Sequence, residues 1–208
     1  MSKVVIINHP LIQHKLSIVR NQDTPPVNFR ALISEIGSLM TYEATRDLNV
    51  KEVNVKTPIC EAVCHEISDN VVICPVLRAG LGMADGIHQM IPSAKMGHIG
   101  LYRDEKTLLT QKYYCKLPVT IADSTVILVD PMLATGNTAV CAVDILKEAK
   151  VKRIIYVGLV GAQEGIDQLQ KHHPDVDIYL AANDGILNEN GYIVPGLGDC
   201  GDRLFGTK

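Results

Sequence analysis

Short apolar runs rich in β-branched residues alternate with stretches that carry apolar residues at helical spacing through the middle of the chain. The alternation predicts strands at residues 71–74, 96–102, 125–129, 154–160 and 176–181, and helices at 80–90, 138–149 and 164–171. Strands joined through helices lie parallel, because right-handed crossovers return the chain to the same end of the sheet. We therefore expect an α/β fold with a Rossmann-like, mainly parallel, twisted sheet that is flanked by helices.

The N-terminal part of the chain has a different pattern. Residues 29–48 carry apolar side chains at helical spacing behind two consecutive prolines, and we expect residues 1–70 to be helical in blocks. On this interpretation Cys60 and Cys64 share one face of a helix, where they are buried as small hydrophobic side chains.

The length of the chain suits a single domain. It has 208 residues, and one hydrophobic core serves chains of up to about 250 residues. We expect one domain over residues 1–208, in which an α/β core at 71–182 follows the N-terminal part. Residues 183–208 are rich in Gly, Asn and Asp, and we expect them to wrap the sheet or to cap a site.

Composition excludes several classes of function. The formal net charge of −3 provides no positive field to hold a nucleic acid. No apolar run approaches the roughly 20 residues of a membrane helix, and the N-terminus lacks the apolar core of a signal peptide. The six cysteines contain no C-x-x-C pair and no zinc-like cluster. We expect a cytoplasmic protein that binds neither nucleic acid nor membrane.

The most informative segment follows the strand predicted at 125–129. Ligands of parallel α/β sheets bind beyond the carboxyl ends of the strands. Here the chain continues with small residues and Gly136, which let backbone N–H groups approach a phosphate, and a helix begins at Asn137 or Thr138. Thr135 and Thr138 add hydroxyl donors to this segment, residues 130–138, which we call the phosphate loop.

Asp130 is suited to another part of the same ligand. A carboxylate would repel a phosphate, but it accepts hydrogen bonds from a pair of sugar hydroxyls. The residues alone are therefore compatible with a ribose 5-phosphate site, and equally with an ordinary helix N-terminus behind a strand-terminal Asp. The glycine pattern at 196–201 matches a dinucleotide fingerprint, but only seven residues follow it, so no βαβ unit can form there.

The strand, the acidic residue and the A-T-G loop resemble the phosphoribosyl pyrophosphate signature of phosphoribosyltransferases. The single-acid form VDPMLATG at 129–136 is similar to that of the uracil phosphoribosyltransferases. The resemblance extends through segments at 42–48, 76–83, 102–105, 113–118 and 191–208. It implies the type I phosphoribosyltransferase fold, with a mobile β-arm at about 103–118 and residues 183–208 as a base-binding hood over the active site.

The resemblance also implies the activity. A uracil phosphoribosyltransferase transfers the 5-phosphoribosyl group from phosphoribosyl pyrophosphate to N1 of uracil, which gives UMP and pyrophosphate in pyrimidine salvage. Mg²⁺ is expected as the cofactor, held mainly by phosphoribosyl pyrophosphate and water, since this ion prefers phosphates and few protein ligands. Relatives are commonly homodimers or higher homo-oligomers, and some are activated by GTP. A second copy of the chain and a GTP effector are therefore expected as partners.

Site residues are carried over from the family where the motifs match. The residues implied for phosphoribosyl pyrophosphate are Arg78, Arg103, Asp130, Pro131, Met132, Leu133, Ala134, Thr135, Gly136, Asn137, Thr138 and Asp199. The residues implied for uracil, largely through main-chain atoms, are Tyr192, Ile193, Gly198, Asp199 and Cys200.

Four of these residues are expected to act in catalysis. Arg78 and Arg103 grip the leaving pyrophosphate, with Arg103 on the mobile arm, and Asp130 holds the ribose. Asp199 matches a position near the reacting ribose, where it binds magnesium-linked water or helps to remove the N1 proton. A nucleophilic role for Cys200 is not expected, because the family chemistry forms no covalent intermediate with the enzyme.

Two other functions remain open on the sequence. A transferase for a purine base would need a larger base pocket, and its strand end usually carries two acidic residues. A regulatory protein of the same fold would bind phosphoribosyl pyrophosphate or nucleotides without turnover, and an RNA-binding regulator would need a basic face. The net charge of −3 and the intact C-terminal base segment favour the uracil enzyme.

Overall fold

The computed structural model describes residues 2–103 and 110–207, without the side chain of Arg103. The strands in this part of the chain are β1 Val4–Ile6, β2 Val50–Lys56, β3 Glu61–Ile67, β4 Asn70–Leu77, β5 Lys95–Met96, β6 His98–Arg103, β7 Thr110–Lys116, β8 Ser124–Val129, β9 Met132–Leu133, β10 Arg153–Ala162, β11 Asp177–Leu187 and β12 Ile193–Val194. The α-helices are α1 Pro10–Arg20, α2 Pro26–Ala44, α3 Leu81–Met90, α4 Asn137–Glu148, α5 Gln163–His172 and α6 Cys200–Phe205.

One large sheet organises the molecule. Its strands follow the order β1-β11-β10-β8-β4-β6-β7, and the pairs from β1 to β6 are parallel. β7 runs antiparallel to β6, and β12 runs antiparallel to the end of β11. The predicted α/β fold with a mainly parallel sheet is therefore confirmed.

Two hydrophobic cores cover the two faces of this sheet. β8 is buried along its whole length, as its continuous apolar run predicts for a strand between two layers of helices. Its alternate residues serve different cores: Ile127 packs in the core with α1, α2 and α3, while Val126 and Leu128 pack in the core with α4 and α5. Ile155 and Tyr156 divide β10 between the two cores in the same way.

The prediction for the N-terminal part is only partly right. α1 and α2 are helices as expected, but residues 50–67 form an antiparallel hairpin of β2 and β3 in place of a helix. Cys60 lies in the turn before β3, and Cys64 pairs with Val53 across the hairpin, so the shared helix face is wrong. The expected burial is wrong as well, because Cys60 is exposed and Cys64 is partly exposed on a largely exposed hairpin. Val53, Val55 and Val63 are β-branched residues, which suit a strand better than a helix.

The β-arm and the C-terminal hood, which were expected beside the core, are described in part. The arm begins as β6 and returns as β7, while residues 104–109 and the Arg103 side chain lie outside the described residues. The hood is built from the end of β11, the short strand β12, a turn at residues 195–198 and helix α6. The division of residues 1–208 into three parts of one domain stays a prediction.

Candidate active site

A cavity of about 350 Å³ opens at the carboxyl ends of the central strands. Among the predicted site residues, those that line it are Arg78, Asp130, Met132, Ala134, Thr138, Tyr192, Ile193, Gly198, Asp199 and Cys200. Residues that line it without having been predicted are Val76, Leu77, Ala79, Leu101, Gly191 and Gly201. Residues from the strand end, the phosphate loop and the hood, which are far apart in the sequence, therefore share one cavity.

Apart from Arg103, whose side chain lies outside the described residues, the predicted residues that do not line the cavity form the rest of the phosphate loop. Pro131, Leu133 and Gly136 are buried beneath its surface, Thr135 is partly exposed and Asn137 is exposed. Gly136 has a φ of +82°, a conformation that L side chains rarely adopt. A Cβ at this position would also lie 2.8 Å from the carbonyl oxygen of Gly165, so the loop packs closely against α5.

The phosphate loop ends at the N-terminus of α4. No side chain caps this helix, whose N-cap residue is Gly136. The first amides of a helix have no partner inside it, and they point along the helix axis with the positive end of the dipole. The loop thus presents backbone donors to the space in front of α4, with the hydroxyl of Thr138 beside them.

Asp130 lies where the regular pairing of the sheet is interrupted. Its N–H donates to the carbonyl of Val157 at 3.2 Å, as in a regular parallel ladder. The ladder would continue with the N–H of Leu159 donating to the carbonyl of Asp130, but Leu159 donates to Pro131 at 2.9 Å. The hydroxyl of Tyr156 donates to the Asp130 carbonyl instead, at 2.9 Å, and this tyrosine is fully buried.

The carboxyl group of Asp130 is largely withdrawn from water. Desolvation raises the pKa of this carboxyl from the ordinary value of 3.8 to about 7, against the smaller opposing effect of the Met132 N–H. Desolvation also raises the pKa of the Tyr156 hydroxyl well above its ordinary value, so this group stays a donor at neutral pH. A carboxyl with such a pKa is characteristic of functional clefts.

Arg78 follows β4 in a turn that is pressed against the end of β8. The peptide bond between Leu77 and Arg78 is cis, and a Cβ on Gly80 would meet backbone atoms of Val76 and Val129. The guanidinium of Arg78 is about half exposed and lies 3.3 Å from a carboxylate oxygen of Asp202 in α6. The turn therefore brings a guanidinium to the cavity beside the hood.

The hood contributes backbone groups and one carboxylate. Ile193 is buried, Tyr192 is exposed, and the peptide bond between Val194 and Pro195 is cis. Asp199 is the N-cap of α6, because its Oδ1 accepts from the N–H of Asp202 at 2.8 Å. The prediction for Asp199 did not include this capping role, although an Asp before a short helix is a recognisable N-cap signal.

Cys200 is buried at the first position of α6. Its pKa is raised, first by desolvation and then by the nearby carboxyls of Asp130 and Asp199. A raised pKa disfavours the thiolate, which is the nucleophilic form. The chemistry of this thiol therefore agrees with the expectation that Cys200 is not a nucleophile.

Tyr156, which supports the strand end behind the cavity, was also missed by the sequence interpretation. It lies in the middle of β10 and is indistinguishable in pattern from a tyrosine that only fills the core. The missing signal is the interruption of the ladder at Pro131, which becomes visible only when β8, β9 and β10 are seen together.

The loop before α4 at the carboxyl edge of a mainly parallel sheet, the acidic strand end and the separate hood form the arrangement of the type I phosphoribosyltransferase fold. The fold is similar to that of the adenine phosphoribosyl transferase from Trypanosoma brucei in complex with AMP, pyrophosphate and ribose-5-phosphate. That comparison has a TM-score of 0.58 and 12% identity, and it covers 94% of this chain and 87% of that chain.

More similar proteins identify the family. A family model described as uracil phosphoribosyltransferase matches residues 5–207. The uracil phosphoribosyltransferase of Acholeplasma laidlawii is 57% identical over 208 residues, which cover 100% of both chains. The structure of the AQ2163 protein from Aquifex aeolicus has a TM-score of 0.94 and 36% identity, with 99% of both chains covered. The chain therefore belongs to the uracil phosphoribosyltransferase family.

Proposed function

We propose that this protein transfers the 5-phosphoribosyl group from phosphoribosyl pyrophosphate to N1 of uracil, which yields UMP and pyrophosphate. The observation that carries the proposal is the cavity of about 350 Å³, which the phosphate loop, the turn at Arg78 and the hood line together. A ligand with a phosphate, a ribose and a base at successive positions would match this order of groups. Family membership supports the same reaction.

Each part of the donor substrate has a partner of suitable chemistry. The amides at the start of α4 and the hydroxyls of Thr135 and Thr138 would bind the 5-phosphate. Asp130 in its ionised form would accept hydrogen bonds from the ribose hydroxyls. The guanidinium of Arg78 would bind the pyrophosphate and would stabilise the negative charge that develops on it as the bond breaks.

The transfer itself is a substitution at C1 of the ribose. The C1–O bond to pyrophosphate breaks with its electron pair, positive charge builds on the ribose ring, and N1 of uracil forms the new C1–N1 bond from the opposite face. The N1 proton then leaves to water. We assign to Asp199 the binding of a water near this centre, because it lines the cavity while one of its oxygens caps α6.

Recognition of uracil is assigned to the backbone of the hood. Uracil offers carbonyl acceptors and N–H donors, which alternating N–H and C=O groups of an extended segment can match. Ile193, Gly198 and Cys200 line the cavity in this region. Main-chain recognition would tolerate the thiol of Cys200, whose raised pKa keeps it neutral.

Mg²⁺ is proposed as the cofactor on the chemistry of the donors. The cavity offers carboxylate oxygens from Asp130 and Asp199, which are ligands that Mg²⁺ accepts directly or through water. Across residues 2–103 and 110–207, no three His, Cys, Asp or Glu side chains come together as a metal cluster. The bound ion would neutralise charge on the diphosphate, and Asp199 would hold one of its waters.

The test is the release of pyrophosphate from phosphoribosyl pyrophosphate with Mg²⁺ present. We expect rapid release with uracil and only background release with cytosine, hypoxanthine or no base. Release that does not depend on uracil, or that is faster with hypoxanthine, would contradict the proposed function. Titration of Mg²⁺ against EDTA in the same assay tests the cofactor.

A homo-oligomer is proposed as the functional assembly. In the described part of the chain, β2 and β3 pair only with one another, and a two-stranded hairpin is marginally stable alone in water. Its apolar side chains include Ile59, which is 91% exposed, and Val63, which is 62% exposed. We expect a Val63→Glu substitution to lower the mass measured by light scattering, and an unchanged mass would contradict a role for the hairpin.

Two further expectations are proposed, activation by GTP on the resemblance and a cytoplasmic location on the composition of the chain. Activation by GTP is tested by the rate at low phosphoribosyl pyrophosphate concentration with and without GTP. A cytoplasmic location stays a prediction that cell fractionation would test. Within the residues that the structure describes, no helix is long and apolar enough to cross a membrane.

A further inference from the structure

A partly buried ion pair connects the hood to the first helix of the protein. Arg20 is the last residue of α1, and Asp184 lies near the end of β11. The two nitrogens at the tip of the guanidinium donate to the two carboxylate oxygens at 2.6 and 2.7 Å. The Asp184 side chain is only 7% exposed, so solvent screens this bidentate pair poorly.

The same pair binds both polar groups of Gly196 in the hood. The carboxylate of Asp184 accepts from the Gly196 N–H at 2.8 Å, and Nη1 of Arg20 donates to the Gly196 carbonyl at 2.6 Å. Gly196 has a φ of +58°, and a Cβ there would collide with the carbonyl oxygen of Ile193. The turn is therefore folded tightly against Ile193 and is held from outside by two charged side chains.

A second guanidinium supports the next peptide group. Arg203 of α6 donates to the carbonyl of Leu197 at 2.8 Å and to the carbonyl of Asn21 at 2.6 Å. Its guanidinium also lies over the ring of Phe29, with Cζ of Arg203 4.3 Å from the ring centroid. Two successive carbonyls of the hood are thus tied to the end of α1.

The segment that these contacts hold has little regular structure of its own. We call residues 193–198 the ribbon; only Ile193 and Val194 pair with another strand. Ile193 and Gly198, on either side of Gly196, line the cavity, whereas Arg20 and Asp184 do not. The ion pair can therefore influence a base in the cavity only through the position of the ribbon.

We propose that Arg20 and Asp184 are positioning residues for recognition of the base, because they fix Gly196 and thereby the backbone groups of the ribbon. The inference rests on the proposed function, since it assumes that the ribbon binds uracil. It predicts that loss of the pair weakens binding of the base while the phosphoribosyl group is bound as before. Within the described residues, the hydrogen bonds of this pair join the two side chains to each other and to Gly196, and none reaches the phosphate loop.

The experiment compares the binding of UMP and of ribose 5-phosphate by calorimetry. Asp184→Asn keeps the size of the side chain but removes its charge, and Arg20→Lys keeps the charge but cannot span three acceptors. The matched control is Asp177→Asn. Asp177 pairs with Arg153 at 3.0 Å, is 16% exposed, and lies at the opposite end of β11 from the hood.

We expect the dissociation constant of UMP to rise about tenfold or more in Asp184→Asn and in Arg20→Lys. The dissociation constant of ribose 5-phosphate should change less than about twofold in both variants. The control variant should bind both ligands like the wild type. If Asp184→Asn shows no cooperative thermal transition, the milder Arg20→Lys variant decides the test alone.

Three results would overturn the inference: unchanged UMP binding in a folded variant, an equal loss of affinity for both ligands, or the same effect from the control. Failure of the proposed function has a different signature. In that case the wild type itself would bind UMP no more tightly than ribose 5-phosphate, and it would release no pyrophosphate in response to uracil.

Discussion

Replacing Tyr156 with Phe removes one buried hydroxyl and keeps the ring. The hydroxyl donates to the carbonyl of Asp130 at 2.9 Å, and the variant leaves this carbonyl without that donor. A buried group that loses its partner costs about 1–3 kcal/mol. For a chain of 208 residues each kcal/mol lowers Tm by about 2–4 °C, so we expect a decrease of about 2–12 °C.

The same substitution should also change the activity in a selective way. The Asp130 carbonyl accepts from the Tyr156 hydroxyl and not from the backbone of β10. Loss of this hydroxyl therefore allows the strand end and the adjacent carboxyl group to shift. Small displacements of reacting groups slow catalysis strongly, and a displacement of 1 Å can lower the rate about a hundredfold. We expect kcat/KM for phosphoribosyl pyrophosphate to fall about tenfold, while KM for uracil changes little.

Tyr179→Phe is the matched control for this prediction. Tyr179 lies on the neighbouring strand β11, is 4% exposed and packs in the core on the opposite face of the sheet. Its hydroxyl is near Lys3 and Asp177, away from the cavity. Differential scanning calorimetry and steady-state kinetics measure both effects. If Tyr156→Phe matches Tyr179→Phe in Tm and in kcat/KM, the reasoning about the strand end is refuted.

Four other outcomes follow from the geometry of the site. Burial raises the pKa of Asp130 from 3.8 to about 7, so between about pH 4 and pH 7 the folded wild type holds a proton that the unfolded chain has released. The free energy of unfolding of the wild type therefore falls as the pH rises through this range. Asp130→Asn should lack this loss, and Tm values of the two proteins that stay parallel over the interval would contradict the assignment. Arg78→Ala should lower kcat more than it raises KM for phosphoribosyl pyrophosphate, and near-normal turnover at saturation in steady-state assays would show that Arg78 does not act in the transition state. Gly165→Ala places a Cβ 2.6 Å from a backbone oxygen of the phosphate loop, so KM for phosphoribosyl pyrophosphate should rise at least about tenfold, whereas an unchanged KM would mean that the loop does not bind the phosphate. Cys200→Ser should keep turnover within about threefold of the wild type, and abolished turnover in a variant that folds would point to a chemical role for the thiol.

The sheet and the phosphate loop were predictable because their signals are local. A strand buried on both faces is expected to be largely apolar, and β8 is buried at every position and carries only apolar residues from 126 to 129. The loop follows such a strand directly, so Asp130 and Thr138 reach the carboxyl edge whatever the rest of the fold does. The hood needed the resemblance, since glycine-rich sequence alone carries no periodicity that could place it.

The hairpin of β2 and β3 was missed for a physical reason. Its strands are largely exposed, so neither face carries the continuous apolar pattern of a core strand. Charged residues such as Lys51 and Glu66, which pair across the hairpin, are equally common on solvated helices. What decides the structure is the pairing of Val53 with Cys64 and its neighbours, and pairing partners are not encoded in either strand by itself.

The contacts that position the ribbon could not be predicted from local sequence patterns. Arg20 and Gly196 are 176 residues apart, and neither α1 nor the hood contains a pattern that indicates the other. A segment with one two-residue strand and one six-residue helix cannot hold its own shape through backbone pairing. Its polar groups must therefore be bound by side chains from the surrounding body, and charged side chains do this most strongly. On the proposed function, the phosphate and the base would be bound by parts of the molecule with separate supports, so that substitutions in α1 or β11 would weaken binding of the base without disturbing the phosphoribosyl site.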